Sequence, residues 1–274
     1  MGRVVIASSS LRPAGAGGGY LRGQSSGVVP LATFGNSSWL AALSGIDTEG
    51  AATPGPRVMY APQYAFGGGY QTVVDIVNLE QSQMAITLKL YGDDGNQKGN
   101  TAQLTLPGRG SSQTLNPSVF NLASGEDVLQ GYVRVESAAG RFAGSVRFTD
   151  PAQAQFGSAL QFTGSGLGLA YFSQVAQNEQ YFTGLATLNP NAEPASVTVT
   201  VYNTLGSTVA SGTRAIPAGG RFSMVLTELV GTLPAMSDGY FEVRSTVPVA
   251  SFALFGTNTG EVLSAIPAQP RSGN

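Results

Sequence analysis

Chemistry in this chain of 274 residues would have to rest on carboxylates, hydroxyls and aromatic rings, because the sequence contains neither cysteine nor histidine. The missing histidine removes the usual general base near neutral pH and the commonest metal ligand. The missing cysteine removes thiolate catalysis, thiolate metal sites and disulfides. Serine triads with histidine and HExxH zinc sites are therefore excluded, and paired carboxylates are the only catalytic option left.

Two adjacent acidic pairs could bind Ca²⁺ or serve acid–base chemistry: Asp93/Asp94 and Glu126/Asp127. The spacing of a calcium loop, Asp-x-Asp-x-Asp-Gly, does not occur. We interpret both pairs as solvated turn residues, since Asp is favoured in turns. The sequence thus predicts a protein that is not an enzyme and has no cofactor or metal, with a two-carboxylate hydrolase as the open alternative.

Aromatic rings are the better candidates for binding. Tyr64, Phe66 and Tyr70 lie in one glycine-rich segment. Exposed rings can stack on the apolar faces of sugars, so we predict these three as ligand-binding residues and polysaccharide as the ligand class. Packing in the core or in a linker is the competing interpretation, and it is favoured for tyrosines that recur at matched positions.

The charge pattern argues against nucleic acid as a partner. Charged residues make up 11% of the chain, the net charge is −2, and the 14 Lys and Arg residues are scattered rather than clustered. No basic stripe exists to follow a phosphate backbone. No apolar run approaches the length of a membrane span. The N-terminus does not read as a signal peptide, so either the protein is cytoplasmic or an export signal lies upstream.

The elements that must position these residues are duplicated. Residues 60–95 recur without a gap at residues 171–206, an offset of 171 − 60 = 111. The acidic pair Asp93/Asp94 becomes Thr204/Leu205 in the second copy, so the duplication does not preserve it. A fixed register of this length indicates a repeated structural unit. The matched positions include Tyr60/Tyr171, Gln63/Gln174, Tyr70/Tyr181, Asn78/Asn189, Tyr91/Tyr202 and Gly95/Gly206.

A second pattern predicts a partial unit at the N-terminus. The pattern Gly-Tyr-x-x-x-x-Ser, with four residues between Tyr and Ser, begins at Gly19-Tyr20, Gly131-Tyr132 and Gly239-Tyr240. The first occurrence has no counterpart of the Tyr60 segment before it. We therefore interpret residues 1–45 as the last strands of a repeat whose front half would precede Met1. Strands without their partner sheet expose edges and an apolar face, which favours association.

Within each unit the hydrophobic residues alternate with polar ones. Ile86, Leu88 and Leu90 point one way while Thr87 and Lys89 point the other, as expected for antiparallel sheets with one buried face. The sequence predicts an all-β chain: two tandem immunoglobulin-like antiparallel β-sandwich modules preceded by a partial, back-half module. The predicted boundaries are residues 1–45 for the partial module, 46–57 for a linker, 58–162 for the first β-sandwich, 163–168 for a linker, 169–268 for the second β-sandwich and 269–274 for a disordered tail.

The pattern resembles functionally uncharacterised tandem immunoglobulin-like modules of secreted or cell-surface bacterial proteins. The likeness is carried by Tyr60-Ala-Pro62, Gly67-Gly-Gly-Tyr70-Gln-Thr72, Asn189-Pro190 and Pro217-Ala-Gly-Gly220. These are turn and core residues, so the resemblance implies a fold and an extracellular or cell-surface location, and it carries over no catalytic residue.

Three functions follow from the sequence. The first is a non-catalytic structural or adhesive segment of an extracellular repeat protein, whose partners are other modules of the same protein or neighbouring subunits. The second is a carbohydrate- or ligand-binding module that uses exposed aromatics. The third is a self-assembling subunit, in which residues 1–45 donate strands to a neighbour.

Overall fold

The structure, a computed structural model, describes residues 31–44, 57–114, 116–123, 127–152 and 155–270. Strands and turns make up nearly all of these residues, which confirms the predicted all-β sandwich fold. Within the described ranges no helix is long and apolar enough to cross a membrane.

The chain begins, in its described part, with a hairpin of β1 (Leu31–Gly35) and β2 (Leu40–Ser44). Two of the strands predicted for the partial module, at residues 4–7 and 19–25, lie outside the described residues. The remaining two, predicted at residues 28–34 and 39–43, overlap β1 and β2 over the described residues. The two strands pair with each other.

The first module, residues 57–163, is a sandwich of two four-stranded antiparallel sheets. Its described strands are β3 (Arg57–Phe66), β4 (Gln71–Asn78), β5 (Met84–Tyr91), β6 (Gln97–Leu106), β7 (Ser111–Thr114), β8 (Leu129–Ser137), β9 (Phe142–Thr149) and β10 (Gly157–Gln161). One sheet has the order β3-β8-β5-β6 and the other β10-β9-β4-β7. The predicted linker ended at residue 57, but Arg57 already belongs to β3.

The second module, residues 164–270, repeats this strand order. Its elements are β11 (Leu167–Phe172), β12 (Tyr181–Leu188), β13 (Ala195–Tyr202), β14 (Thr208–Ile216), β15 (Arg221–Val225), α1 (Leu226–Val230), β16 (Tyr240–Thr257), β17 (Leu263–Pro267) and β18 (Gln269–Pro270). One sheet runs β14-β13-β16-β11-β18, while β15-β12-β16-β17 form the other. Strand β11 thus occupies the place of β3, and β16 occupies the places of both β8 and β9.

Strand β16 differs from the sequence prediction, which has separate strands at 239–244 and 249–255. It is continuous over 18 residues, its first half paired with β11 and β13 and its second half with β12 and β17. Pro248 falls where the strand passes from one sheet to the other. The missing N–H of Pro248 therefore removes no ladder hydrogen bond.

The chain end also differs from the predicted disordered tail. Gln269–Pro270 form β18, which pairs with Ala170 and Tyr171 of β11. The predicted linker at 163–168 is shorter as well, because β11 begins at Leu167. Residues 271–274 lie outside the described part of the chain.

Each module buries the side chains that the alternation assigns to its interior. In β5 the side chains of Ile86, Leu88 and Leu90 are fully buried, and in β13 those of Val197 and Val199 are too. Burying a side chain of this kind stabilises the fold by roughly 1.5–3 kcal/mol relative to leaving it in water. The period-two pattern of the sequence therefore encodes the inner face of each sheet.

Candidate functional site: the tyrosine face between the modules

Three tyrosines lie side by side on the outer surface of the first module. Tyr91 of β5 and Tyr132 of β8 are directly opposite each other, and their rings stack with centroids 5.1 Å apart. Tyr60 of β3 joins them, with its ring 6.4 Å from that of Tyr132. The neighbouring residues Leu90 and Val133 point into the core. We call the surface formed by Tyr60, Tyr91 and Tyr132 the first tyrosine face.

The second module covers this face. Leu188 of β12 and Ala250 of β16, which are opposite each other in their sheet, pack against the three rings and are 0% and 3% exposed. The hydroxyl of Tyr132 donates a hydrogen bond to the carbonyl of Gly219 at 2.8 Å. Burial raises the pKa of the Tyr132 phenol well above its usual value, with Tyr91 and Tyr60 adding to the effect. The phenol is therefore held in its neutral, donating form.

Arg221, the first residue of β15, anchors the second module to the first. Its side chain is fully buried, and its Nε donates to Asp93 Oδ1 at 2.7 Å. Nη1 donates to the carbonyl of Pro62 at 3.3 Å and to the side-chain oxygen of Gln63. Burial lowers the pKa of the Arg221 guanidinium, and the Asp93 charge opposes that shift. The planar guanidinium meets three acceptors at once, which suits arginine better than lysine.

Two local features of the first module present these acceptors. The β3–β8 register shifts between Ala61 and Tyr64, so Pro62 and Gln63 lie in a bulge, a feature that re-aims side chains. Asp93 is in the turn that ends at Gly95, and its backbone carbonyl also accepts from Arg221 N at 2.9 Å. A Cβ on Gly95, whose φ is +78°, would meet the Ala218 carbonyl at 3.0 Å. Glycine thus lets the two turns touch.

The interface continues as an apolar contact beside the tyrosines. Phe252 of the second module stacks on Phe148 of the first, with ring centroids 6.2 Å apart and 11° between the planes. Ala186, directly opposite Phe252, belongs to the same buried cluster as the core of the first module. Leu263 and Ala265 of β17 pack against that cluster too. The second module thus closes the open side of the first sandwich.

The second module carries an equivalent surface, formed by Tyr171, Tyr202 and Tyr240, which we call the second tyrosine face. The rings of Tyr202 and Tyr240 stack with centroids 4.8 Å apart. Burial and the Glu242 carboxylate raise the pKa of Tyr202. All three tyrosines are half-buried, whereas Tyr132 at the central position of the first face is 4% exposed. A shallow cavity of about 500 Å³ is lined by Tyr171, Ser173, Thr204, Gly239, Tyr240 and Gln269.

The structure separates the three aromatic residues that the sequence predicts to bind a ligand. Tyr64 is 2% exposed and packs edge-on against Phe120, so no ligand reaches its ring, and burial raises its pKa. Phe66 is half-buried and packs against the first core. Tyr70 is 43% exposed with its ring 5.8 Å from that of Phe156, and its role in binding stays a prediction. Tyr64 is therefore a core residue, and the premise of an exposed ring is wrong for it.

The members of the two acidic pairs have different surroundings in the structure. Asp93 is not merely a solvated turn residue, because it pairs with Arg221. Asp94 accepts from the backbone and side chain of Asn96 within its own turn, and these hydrogen bonds lower its pKa. Asp127 is exposed, and Glu126 lies outside the described residues. In the described part of the chain no group of three or more acidic side chains is arranged to hold a metal ion.

Sequence reasoning missed the interface, although signals for it exist. Tyr60, Tyr91 and Tyr132 recur in the second module, and the sequence alone favours packing in the core for tyrosines at matched positions. Strand parity places them on the outer surface instead, because their neighbours on either side are the inward-facing residues. An outer surface with three adjacent tyrosines is unusually apolar for a solvated sheet face, and this combination indicates a covered surface.

Comparisons with known proteins add little to this geometry. No family model and no curated protein matches the sequence. Among solved structures, a β-glucuronidase from glycoside hydrolase family 2 is similar over 80% of this chain, with 10% identity and a TM-score of 0.17. Bacteroides uniformis β-glucuronidase 2 is similar over 79% of it, with 12% identity and a TM-score of 0.18. The chain spans about a quarter of each enzyme, 24% and 26%. We draw no functional conclusion from either likeness.

Proposed function

We propose that this chain is a non-catalytic structural segment of an extracellular or cell-surface repeat protein, in which β-sandwich modules dock on one another to form a rigid array. The observation that supports this proposal is that the first tyrosine face, an aromatic surface outside the first core, is covered by the next module of the same chain. The tyrosines of this covered face fix the orientation of the second module on the first and are not available to a small ligand.

Three kinds of contact act together at this interface. Tyr132 contributes a hydrogen bond, Arg221 a buried ion pair, and Phe252 a stacked ring in a closed apolar cluster. Interfaces between domains that are mainly polar allow relative motion, whereas large apolar ones suppress it. The combination of a buried charge and a shared core favours one fixed arrangement.

Small-angle X-ray scattering of the full chain tests the proposal. We expect the wild-type profile to match one rigid arrangement of the two modules, and Arg221→Ala to broaden the distance distribution. Arg244→Ala is the matched control, because that side chain is 61% exposed and pairs with Glu242 of its own strand. Wild-type scattering that requires freely moving modules would refute the rigid array.

Carbohydrate binding at the second tyrosine face is the second candidate. It is favoured by the cavity beside Tyr171 and Tyr240, where Ser173, Thr204 and Gln269 offer hydrogen-bonding groups next to aromatic rings. A glycan array and a tyrosine fluorescence titration test it, with Tyr240→Ala expected to abolish any signal and Tyr70→Ala to separate the predicted Tyr70 site. Silence of the wild-type chain in both assays would eliminate this candidate.

A further inference from the structure

The two ends of the described chain each carry one half of an interface of the kind that joins the modules. At the N-terminal end, Leu31 and Leu40 of the β1–β2 hairpin are 65% and 72% exposed. At the C-terminal end, the three tyrosines of the second tyrosine face are half-buried, and Val262, whose carbonyl lies against Gly256 next to Phe255, is 49% exposed. Large apolar side chains at this exposure are unfavourable in water unless something covers them.

The hairpin is equivalent to β16–β17 of the second module. Gly35 pairs with Leu40 in the hairpin as Gly256 pairs with Leu263, and a phenylalanine precedes each glycine. Counting back from Phe34 and Phe255, Leu31 takes the place of Phe252 (34 − 31 = 255 − 252). By the same register, Leu40 takes the place of Leu263 and Ala42 that of Ala265.

These equivalent residues differ in whether another module covers them. Phe252, Leu263 and Ala265 pack against the core of the first module. Leu31, Leu40 and Ala42 are exposed. The hairpin therefore displays, uncovered, the residues by which the second module docks on the first. We call Leu31, Leu40 and Ala42 the hairpin face.

The other side of the hairpin is already in use. A Cβ on Gly157 of β10 would clash with the ring of Trp39, so this ring lies against the first module. Strand β2 packs beside β10, and β10 packs beside β17, so equivalent strands meet at both junctions. The docking geometry thus recurs along the chain, and it leaves the hairpin face directed away from the first module.

The receiving surface is equivalent as well. In the first module Tyr132 and Phe148 are 4% and 3% exposed because the second module covers them. Their counterparts in the second module, Tyr240 and Phe255, are half-buried. The second tyrosine face, together with Phe255 and Val262, is therefore equivalent to the surface of the first module on which Phe252 and Leu263 pack.

We propose that a second copy of this chain places its hairpin face on the second tyrosine face of the first copy, in a head-to-tail contact. The proposal rests on the function proposed above, since it extends the same module docking between chains. The two surfaces differ from each other, so the contact is heterologous and generates open rows of molecules rather than closed dimers. A hairpin offers less area than a module, so the association is weak.

Sedimentation velocity of the full chain over a concentration series up to roughly 1 mM tests this contact. We expect the average mass of the wild type to rise with concentration. Leu40→Glu blocks the hairpin face and Val262→Glu blocks the receiving face, so each variant alone stays monomeric. Both positions are exposed, and circular dichroism verifies that the variants fold. Ala85→Glu, at an exposed position on β5, is the control and associates like the wild type.

An equimolar mixture of the two blocked variants decides the geometry. Leu40→Glu keeps its receiving face and Val262→Glu keeps its hairpin face, so the mixture forms one dimer and nothing larger. A wild-type chain that is monomeric at every concentration, a mixture that stays monomeric, or association that survives both substitutions would each overturn the proposal. A monomer that binds an oligosaccharide through Tyr240 would assign the face to carbohydrate and overturn it too. In all these cases the scattering experiment still tests the rigid array separately.

Discussion

Arg221 Nε lies 2.7 Å from Asp93 Oδ1, and this ion pair joins two β-sandwich modules across 128 residues of sequence. The pair is asymmetric: the arginine side chain is 0% exposed and the aspartate side chain 54%. A buried guanidinium depends on its partners far more than a half-exposed carboxylate does, because only the carboxylate can be solvated in their place.

This asymmetry predicts different effects for two adjacent aspartates. Asp93→Ala leaves a buried charge without its counterion, and we expect the free energy of unfolding to fall by about 1–3 kcal/mol, less than for a fully buried pair. Asp94→Ala removes hydrogen bonds within an exposed turn and should have a clearly smaller effect. Urea denaturation followed by circular dichroism measures both. Equal effects would show that the ion pair does not hold the modules together.

The hydroxyl of Tyr132 provides a second comparison with an internal control. Tyr132→Phe removes the hydrogen bond to the Gly219 carbonyl and leaves that acceptor covered, so we expect a loss of about 1 kcal/mol. Tyr240→Phe makes the same change at the open second face and should leave stability unchanged within about 0.5 kcal/mol. Thermal unfolding of both variants checks this. A Tyr240→Phe effect as large as that of Tyr132→Phe would contradict it.

Asn78 is predicted to be a structural requirement of the first module. The sequence suggests an ordinary turn residue, yet the side chain is fully buried and donates to the carbonyls of Ser82 and Pro107 at 2.8 and 2.9 Å. Asn78→Ala removes these two hydrogen bonds and a third to the Leu106 carbonyl, and at about 1 kcal/mol for each bond it should cost about 3 kcal/mol. Asn189 makes equivalent bonds to Glu193 and Pro217, so Asn189→Ala should cost as much in the second module.

The control for this prediction is Asn96→Ala, a substitution in an exposed turn, which should cost less than about 1 kcal/mol. Chemical denaturation of the three variants gives the comparison. If the losses of unfolding free energy in Asn78→Ala and Asn189→Ala differ by more than a factor of two, the two turns do not stabilise their modules equally, despite their matching hydrogen bonds.

Glu80 makes stability depend on acid pH. Hydrogen bonds from the Arg141 side chain and backbone, at 2.9 and 2.8 Å, lower the pKa of Glu80 below its ordinary value of 4.5. A carboxylate with a lowered folded pKa stabilises the fold above its unfolded pKa, and the contribution is lost as the pH falls through the folded pKa.

We therefore expect the unfolding free energy of the wild type to drop between about pH 5 and pH 3 more steeply than that of Glu80→Gln. Glu179→Gln, at an exposed position, should follow the wild-type curve. Urea titrations at a series of pH values give the slopes. A Glu80→Gln curve parallel to the wild type would exclude this pair as a source of the acid dependence.

The tryptophan of the hairpin reports its docking. Trp39 is the single tryptophan of the chain, and its ring lies where a side chain on Gly157 would be. Gly157→Val should push the ring toward water and shift its fluorescence emission to longer wavelength. Gly168→Ala, whose added Cβ would make only an ordinary contact with the Ser245 carbonyl at 4.0 Å, should not. An unchanged spectrum in Gly157→Val would show that the hairpin does not rest on β10.

The sequence alone was sufficient to predict the all-β sandwich fold. Leu88 and Val199 lie on inner faces because alternation within one strand is a local property that a reader of the chain can see. Tyr64 was the misleading case, since an aromatic beside glycines can face either way and the bulge at Pro62 and Gln63 changes the parity of β3.

Only the tertiary structure decided what the tyrosines do. The same pattern of Tyr60, Tyr91 and Tyr132 recurs as Tyr171, Tyr202 and Tyr240. The second module packs against the first set and buries Tyr132, whereas Tyr240 at the equivalent position is half-buried. Arg221 and Asp93 show no relation in the sequence, because the second repeat has Thr204 at the position of Asp93 and the first has Ser111 at that of Arg221. Contacts between modules depend on how two finished folds pack, and no local periodicity encodes that.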